Sequence, residues 1–66
     1  MAVKYPHIKV KLIGADGNAF SIIANVMKAL RRAGLPKEDQ DKFTEEATAG
    51  DYDQLLVTCQ RWVNVI

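Results

Sequence analysis

The chain holds one cysteine, Cys59, and one histidine, His7, and each scarcity excludes a class of chemistry. A single thiol closes no intramolecular disulfide, and one histidine far from one cysteine matches no zinc-site spacing. No apolar run approaches the roughly eighteen residues of a membrane-spanning helix, and no basic segment followed by an apolar one reads as a signal peptide. A reducing, cytoplasmic setting is therefore expected, with no cofactor, no metal and no membrane contact. A strong excess of one charge is lacking as well. Nine Lys and Arg against eight Asp and Glu leave a net charge of +1, which argues against the basic footprint of a dedicated nucleic-acid binder.

What remains is a hydrophobic core. The 66 residues form one small globular domain, residues 1 to 66, with 1 to 6 read as a flexible lead. A chain this short buries only roughly 60% of the surface its unfolded form exposes, so its stability margin is thin and self-association would widen it. Apolar content of 48% suits an ordinary globular protein. Charge is unevenly spread. Residues 1 to 37 hold seven of the nine basic residues and one acid, Asp16, whereas residues 38 to 66 hold seven acids with Lys42 and Arg61. Such asymmetry can steer a partner to one face or draw in a second copy, although chance alone can produce it in a short chain.

No internal repeat or low-complexity tract interrupts the chain. Residues 8 to 13, IKVKLI, alternate apolar and basic, with Ile8, Val10 and Leu12 on one face and Lys9 and Lys11 on the other, the pattern of a half-buried strand entered after Pro6. From Ala19 to Ala33 the period becomes helical. Phe20, Ile23, Met27 and Leu30 form one apolar row and Ile22, Val26, Ala29 and Ala33 a second, wide enough for a central helix touched on two sides. Its polar arc carries Ser21, Asn25, Lys28, Arg31 and Arg32. Gly34 reads as a left-handed cap and Pro36 as a helix stop or the first turn of the next helix. Residues 36 to 49 then make a peripheral helix pinned mainly by Phe43, with Ala47 on the same face. After Gly50, Asp51 and Gln54 have the spacing of a capping box. Tyr52, Leu55, Leu56, Cys59, Trp62 and Val63 follow as one apolar stripe, which would bring Trp62 into a core with Phe20, Leu30 and Leu55.

The final residues, VNVI, either leave the third helix as a short strand that pairs with the first, or continue the helix to Ile66 and leave the first strand to pair with its copy in a second molecule. The β-branched residues favour the strand, and the missing turn signal after Trp62 opposes it. The expected fold is thus α+β: one N-terminal strand, three helices and a short C-terminal strand pairing with the first. Lys9 and Lys11 would discourage further strand addition at the open edges.

The stretch LIGADGNAFSII, residues 12 to 23, invites a chemical reading but fails each test. A calcium loop counted from Asp16 would place Phe20, Ile22 and Met27 at ligand positions. A phosphate loop lacks its lysine and hydroxyl residue after Gly17, and a dinucleotide fingerprint lacks its third glycine. The structural reading is that Asp16 and Gly17 make a turn and Asn18 caps the helix that follows. His7 has no acid or serine near it in sequence and reads as a surface residue. Cys59 reads as a small hydrophobe. No nucleophile, base and orienting group are suggested by any spacing, so the protein is not expected to be an enzyme.

Basic residues carry the one binding story. Lys28, Arg31 and Arg32 share the polar arc of the first helix, Lys37 follows the turn, and Lys9 and Lys11 lie on the strand. These six are the candidate contacts for a partner or for nucleic acid. A helix-turn-helix reading is opposed by the acidic second helix, PKEDQDKFTEEA, which would repel phosphates. The expected function is a small accessory or protein-interaction module that binds an unidentified protein or its own copies. Nucleic-acid binding through the basic helix face is the alternative.

The segments IKVKLIGADGNAF, KALRRAG, GDYDQLL and CQRWVNVI resemble a group of short bacterial proteins associated with phage or other mobile elements. The resemblance covers nearly the whole chain from Ile8 onward. It implies a freestanding small protein, and brings no catalytic or binding residues to carry over.

Overall fold

The computed structural model describes residues 3–12 and 17–66. The elements run β1 (Tyr5–Val10), α1 (Ala19–Arg32), α2 (Lys37–Ala47), α3 (Tyr52–Trp62) and β2 (Val63–Val65), the α+β arrangement expected from the sequence. The C-terminal residues do leave α3 and pair with the first strand. That pairing is parallel, joining Tyr5 to Val63, Lys9 to Asn64 and Val10 to Val65. Parallel neighbours need a crossover connection, and the three helices supply it. Among the described residues, no helix is long and apolar enough to cross a membrane.

β1 begins at Tyr5 and ends at Val10, earlier than the span 8 to 13 read from periodicity. Tyr5 and Pro6, assigned by that reading to a flexible lead, belong to the strand, and the Lys4 N–H donates to the Arg61 carbonyl at 2.8 Å. Pro6 falls in an irregular part of the ladder between Tyr5 and Lys9, where a residue without an N–H costs no regular pairing. Ile13 and the Asp16 side of the expected turn lie outside the described residues.

α1 is capped at both ends. Asn18 Oδ1 accepts from the Phe20 N–H at 2.8 Å. At the other end Gly34 adopts φ +84°, and its N–H donates to the Arg31 carbonyl while the Leu35 N–H donates to Leu30. This is the double bond pattern of a Schellman cap, in which glycine avoids a side-chain penalty. Pro36 caps α2. Asp51 caps α3, its Oδ1 accepting from the Gln54 N–H at 2.9 Å. The reciprocal half of the expected capping box is replaced: the Gln54 amide donates forward to Thr58 Oγ1 at 3.5 Å. The stem of Gln54 lies so near Gly50 that a Cβ there would meet it at 2.9 Å.

The core joins Ile8, Val10 and Val63 from the sheet to Ile22, Val26 and Leu30 of α1, Phe43 and Ala47 of α2, and Leu55, Cys59 and Trp62 of α3. α1 packs against β1, α2 and α3, so it is central as expected, but its two apolar rows are not equally buried. Ile22, Val26 and Leu30 are buried, Ile23 and Met27 are half-buried, and Phe20 is 83% exposed. Phe20 stands six residues from Val26, roughly 120° round the helix, and so falls outside the buried arc. It is not a partner of Trp62. Ala33, beyond the last helical turn, is also exposed. Tyr52 is 45% exposed and uses its hydroxyl to donate to the Gly17 carbonyl at 2.6 Å, tying α3 to the start of α1.

Candidate binding cleft

Alternation along β1 turns Ile8 and Val10 into the core and leaves His7 and Lys9 exposed. On α1, Asn25, Lys28 and Arg32 recur at steps of three and four and so share one flank. The fold sets these two rows opposite each other. A cleft of about 490 Å³ lies between them, with Lys9, Lys11 and His7 on the strand side, Asn25, Lys28 and Arg32 on the helix side, and Ile8, Val10, Ala29 and Ala33 between.

Four of the six basic residues singled out from the sequence therefore meet at one site. Arg31 projects from α1 away from the core and does not line the cleft, nor does Lys37 at the start of α2. Among the described residues, no carboxylate lines the cleft. Among the described residues, neither Lys9 nor Lys11, Lys28 nor Arg32 forms an ion pair within 4.0 Å. Glu38, Asp39, Asp53 and the other described acids lie on α2, on α3 and at their ends. The uneven charge of the sequence becomes a cationic groove on one side of the molecule.

His7 and Asn25 join the cleft unforeseen. Their signal was periodicity: His7 is in phase with Lys9 and Lys11 at a spacing of two, and Asn25 with Lys28 and Arg32 at helical spacing. Chemically the cleft offers cationic donors, an imidazole and an amide around a small apolar floor. Among the described residues, no serine or cysteine lines the cleft beside His7.

The edge of β1 adds backbone groups. Val10 accepts from the Ile66 N–H at 2.9 Å, so its carbonyl points to β2. Across a trans peptide the next N–H points the opposite way, which turns the Lys11 N–H away from β2. The pairing of Val10 with Val65 likewise turns the Lys9 carbonyl away. Among the described residues, no strand takes this edge.

A second hollow, about 280 Å³, lies between α1 and the start of α3 and is lined by Phe20, Ile23 and Tyr52 among others. None of the six basic residues reaches it. Two titratable groups outside the cleft, Cys59 and Tyr5, depart from their ordinary values. The Cys59 thiol is buried in the core, and burial pushes its pKa up to about 11. Tyr5 is also held above its ordinary value, first by burial and then by Asp39, whose carboxylate accepts from the Tyr5 hydroxyl at 3.3 Å.

Comparison of the chain with protein-family models, with curated proteins and with solved structures finds no significant match.

Proposed function

We propose that the protein is a small protein-interaction module, without catalytic machinery, that holds an anionic partner in the cleft between β1 and α1. One observation carries this reading: Lys9, Lys11, Lys28 and Arg32 converge on a groove that also offers a strand edge taken by no strand among the described residues. Like charges gathered with no ion pair among the described residues repel one another, and an acidic surface brought against them relieves that repulsion while steering the encounter. The setting we propose is cytoplasmic and reducing, in which Cys59 stays a thiol, and the resemblance to phage-associated and mobile-element proteins suggests where its partner would be sought.

Nucleic acid is the second reading, favoured by the same four cations. Against it, the cleft has no aromatic row on which bases could stack, and the chain's net charge is only +1. Titration with nonspecific duplex separates the two. Phosphate-driven binding must be present at low salt and weaken steeply as salt rises. The interaction-module reading expects little duplex binding even at low salt. Tight, steeply salt-dependent binding that is lost on reversing Lys28 and Arg32 to glutamate would replace it with the nucleic-acid reading.

A further inference from the structure

We infer that the occupant of the cleft is an extended, acidic peptide segment of another protein, added to the free edge of β1 as a third strand. The inference rests on the reading of the cleft as a protein-binding site and specifies how the partner is held. The Lys9 carbonyl and the Lys11 N–H both face away from β2, and an acceptor and a donor two residues apart on one edge are what an incoming strand engages. A two-stranded sheet is marginal alone, and a third strand makes it more independent.

Charge then selects the strand. A second copy of β1 would bring lysines opposite lysines, and like charges directly across a ladder are unfavourable. Lys9 and Lys11 therefore oppose self-pairing and favour a strand with Glu or Asp across from them. On the other face the strand passes α1, where Ala29 and Ala33 leave room for small apolar side chains and Lys28 and Arg32 meet a further acid. The recognised pattern is acidic on the solvent face and small or apolar on the face toward α1. Nucleic acid fits this arrangement less well, because it has no amide to meet the Lys9 carbonyl in ladder register.

The test uses the full chain and a defined probe, an acetylated and amidated peptide of four Glu-Val repeats, at low salt. Two further versions carry backbone N-methyl groups, one on every glutamate and one on every valine. A strand presents one set of N–H groups to its neighbour and the other to solvent. The inference therefore expects one methylated version to lose at least about tenfold in affinity, the scale of one or two backbone hydrogen bonds, while the other stays within about threefold. The Lys11 amide should become protected from hydrogen exchange on binding. Lys28→Glu with Arg32→Glu should abolish binding, with Trp62 fluorescence unchanged to show that these exposed positions leave the fold intact. If both methylated peptides bind like the parent, strand addition is overturned and the cleft remains a site for acidic proteins. If no peptide binds but an oligothymidylate does, and charge reversal removes it, both this inference and the interaction-module reading are overturned. Absence of all binding overturns the inference.

Discussion

Trp62 meets Phe43 edge to face, with ring centroids 5.5 Å apart and planes at 73°. On its other side the indole faces Tyr5 at 5.9 Å, and the Lys4 ammonium sits 4.2 Å from its centroid. One side chain at the end of α3 thus locks α2 and the start of β1 together, and β1 is the strand whose outer edge forms the cleft. Truncating Trp62 to alanine should cost roughly 3–5 kcal/mol, comparable with the whole stability of so small a domain, and leave the chain largely unfolded. Phe20→Ala should move stability by no more than about 0.5 kcal/mol, because the ring is 83% exposed. Chemical denaturation of the two variants checks both; a large loss on truncating Phe20 would show that its ring is covered in solution.

The order of elements was legible in the sequence because it depends on local signals. Asn18, Gly34 and Asp51 announced their caps, and the alternation of Ile8, Lys9 and Val10 announced the strand. Two features were obscured by physics that periodicity does not encode. Phe20 has helical spacing from Ile23 and Met27, but which part of a broad apolar arc is buried depends on where the neighbouring elements lie. The step from α3 to β2 carries no turn signal because it needs none: Val63, at φ −133° and ψ 165°, changes the backbone from helix to strand at one residue. The cleft was half visible. Six basic residues were singled out, but only the packing of α1 beside β1 shows that Lys9, Lys11, Lys28 and Arg32 converge and that Arg31 and Lys37 do not.

The start of α1 depends on one side chain. Asn18 Oδ1 accepts from the Phe20 N–H at 2.8 Å, and the Asn18 carbonyl accepts from Ile22 at 3.0 Å. Asn18→Ala should cost roughly 0.5–2 kcal/mol, with Asn18→Asp close to neutral, since aspartate offers the same acceptor at a helix N-terminus. An unchanged denaturation midpoint for the alanine variant would remove the cap from the account.

Cys59 makes stability depend on alkaline pH. Its thiol titrates at about 11 in the folded protein against an ordinary 9.0, so the folded state holds the proton more tightly than the unfolded chain. That contribution is fully present below pH 9 and is lost as pH rises from 9 through about 11, by on the order of 2–3 kcal/mol. Tyr5, also raised, pushes the same way above its ordinary 10.0. Denaturation midpoints across this range should fall more steeply in the wild type than in Cys59→Ala, whose lower starting stability reflects lost packing. Equal slopes would contradict the thiol's part in the decline.

The central claim is that β1 has one edge occupied by β2 and another open toward the cationic cleft. Amide hydrogen exchange of the free protein, resolved residue by residue, tests it most directly. The N–H groups of Val10 and Ile66, turned into the ladder, should exchange slowly. The Lys11 N–H, turned away from it, should exchange near the rate of an unprotected amide. Protection of Lys11 equal to that of Ile66 would mean that the edge is already covered in the free protein, and would contradict the cleft as an open site for a partner.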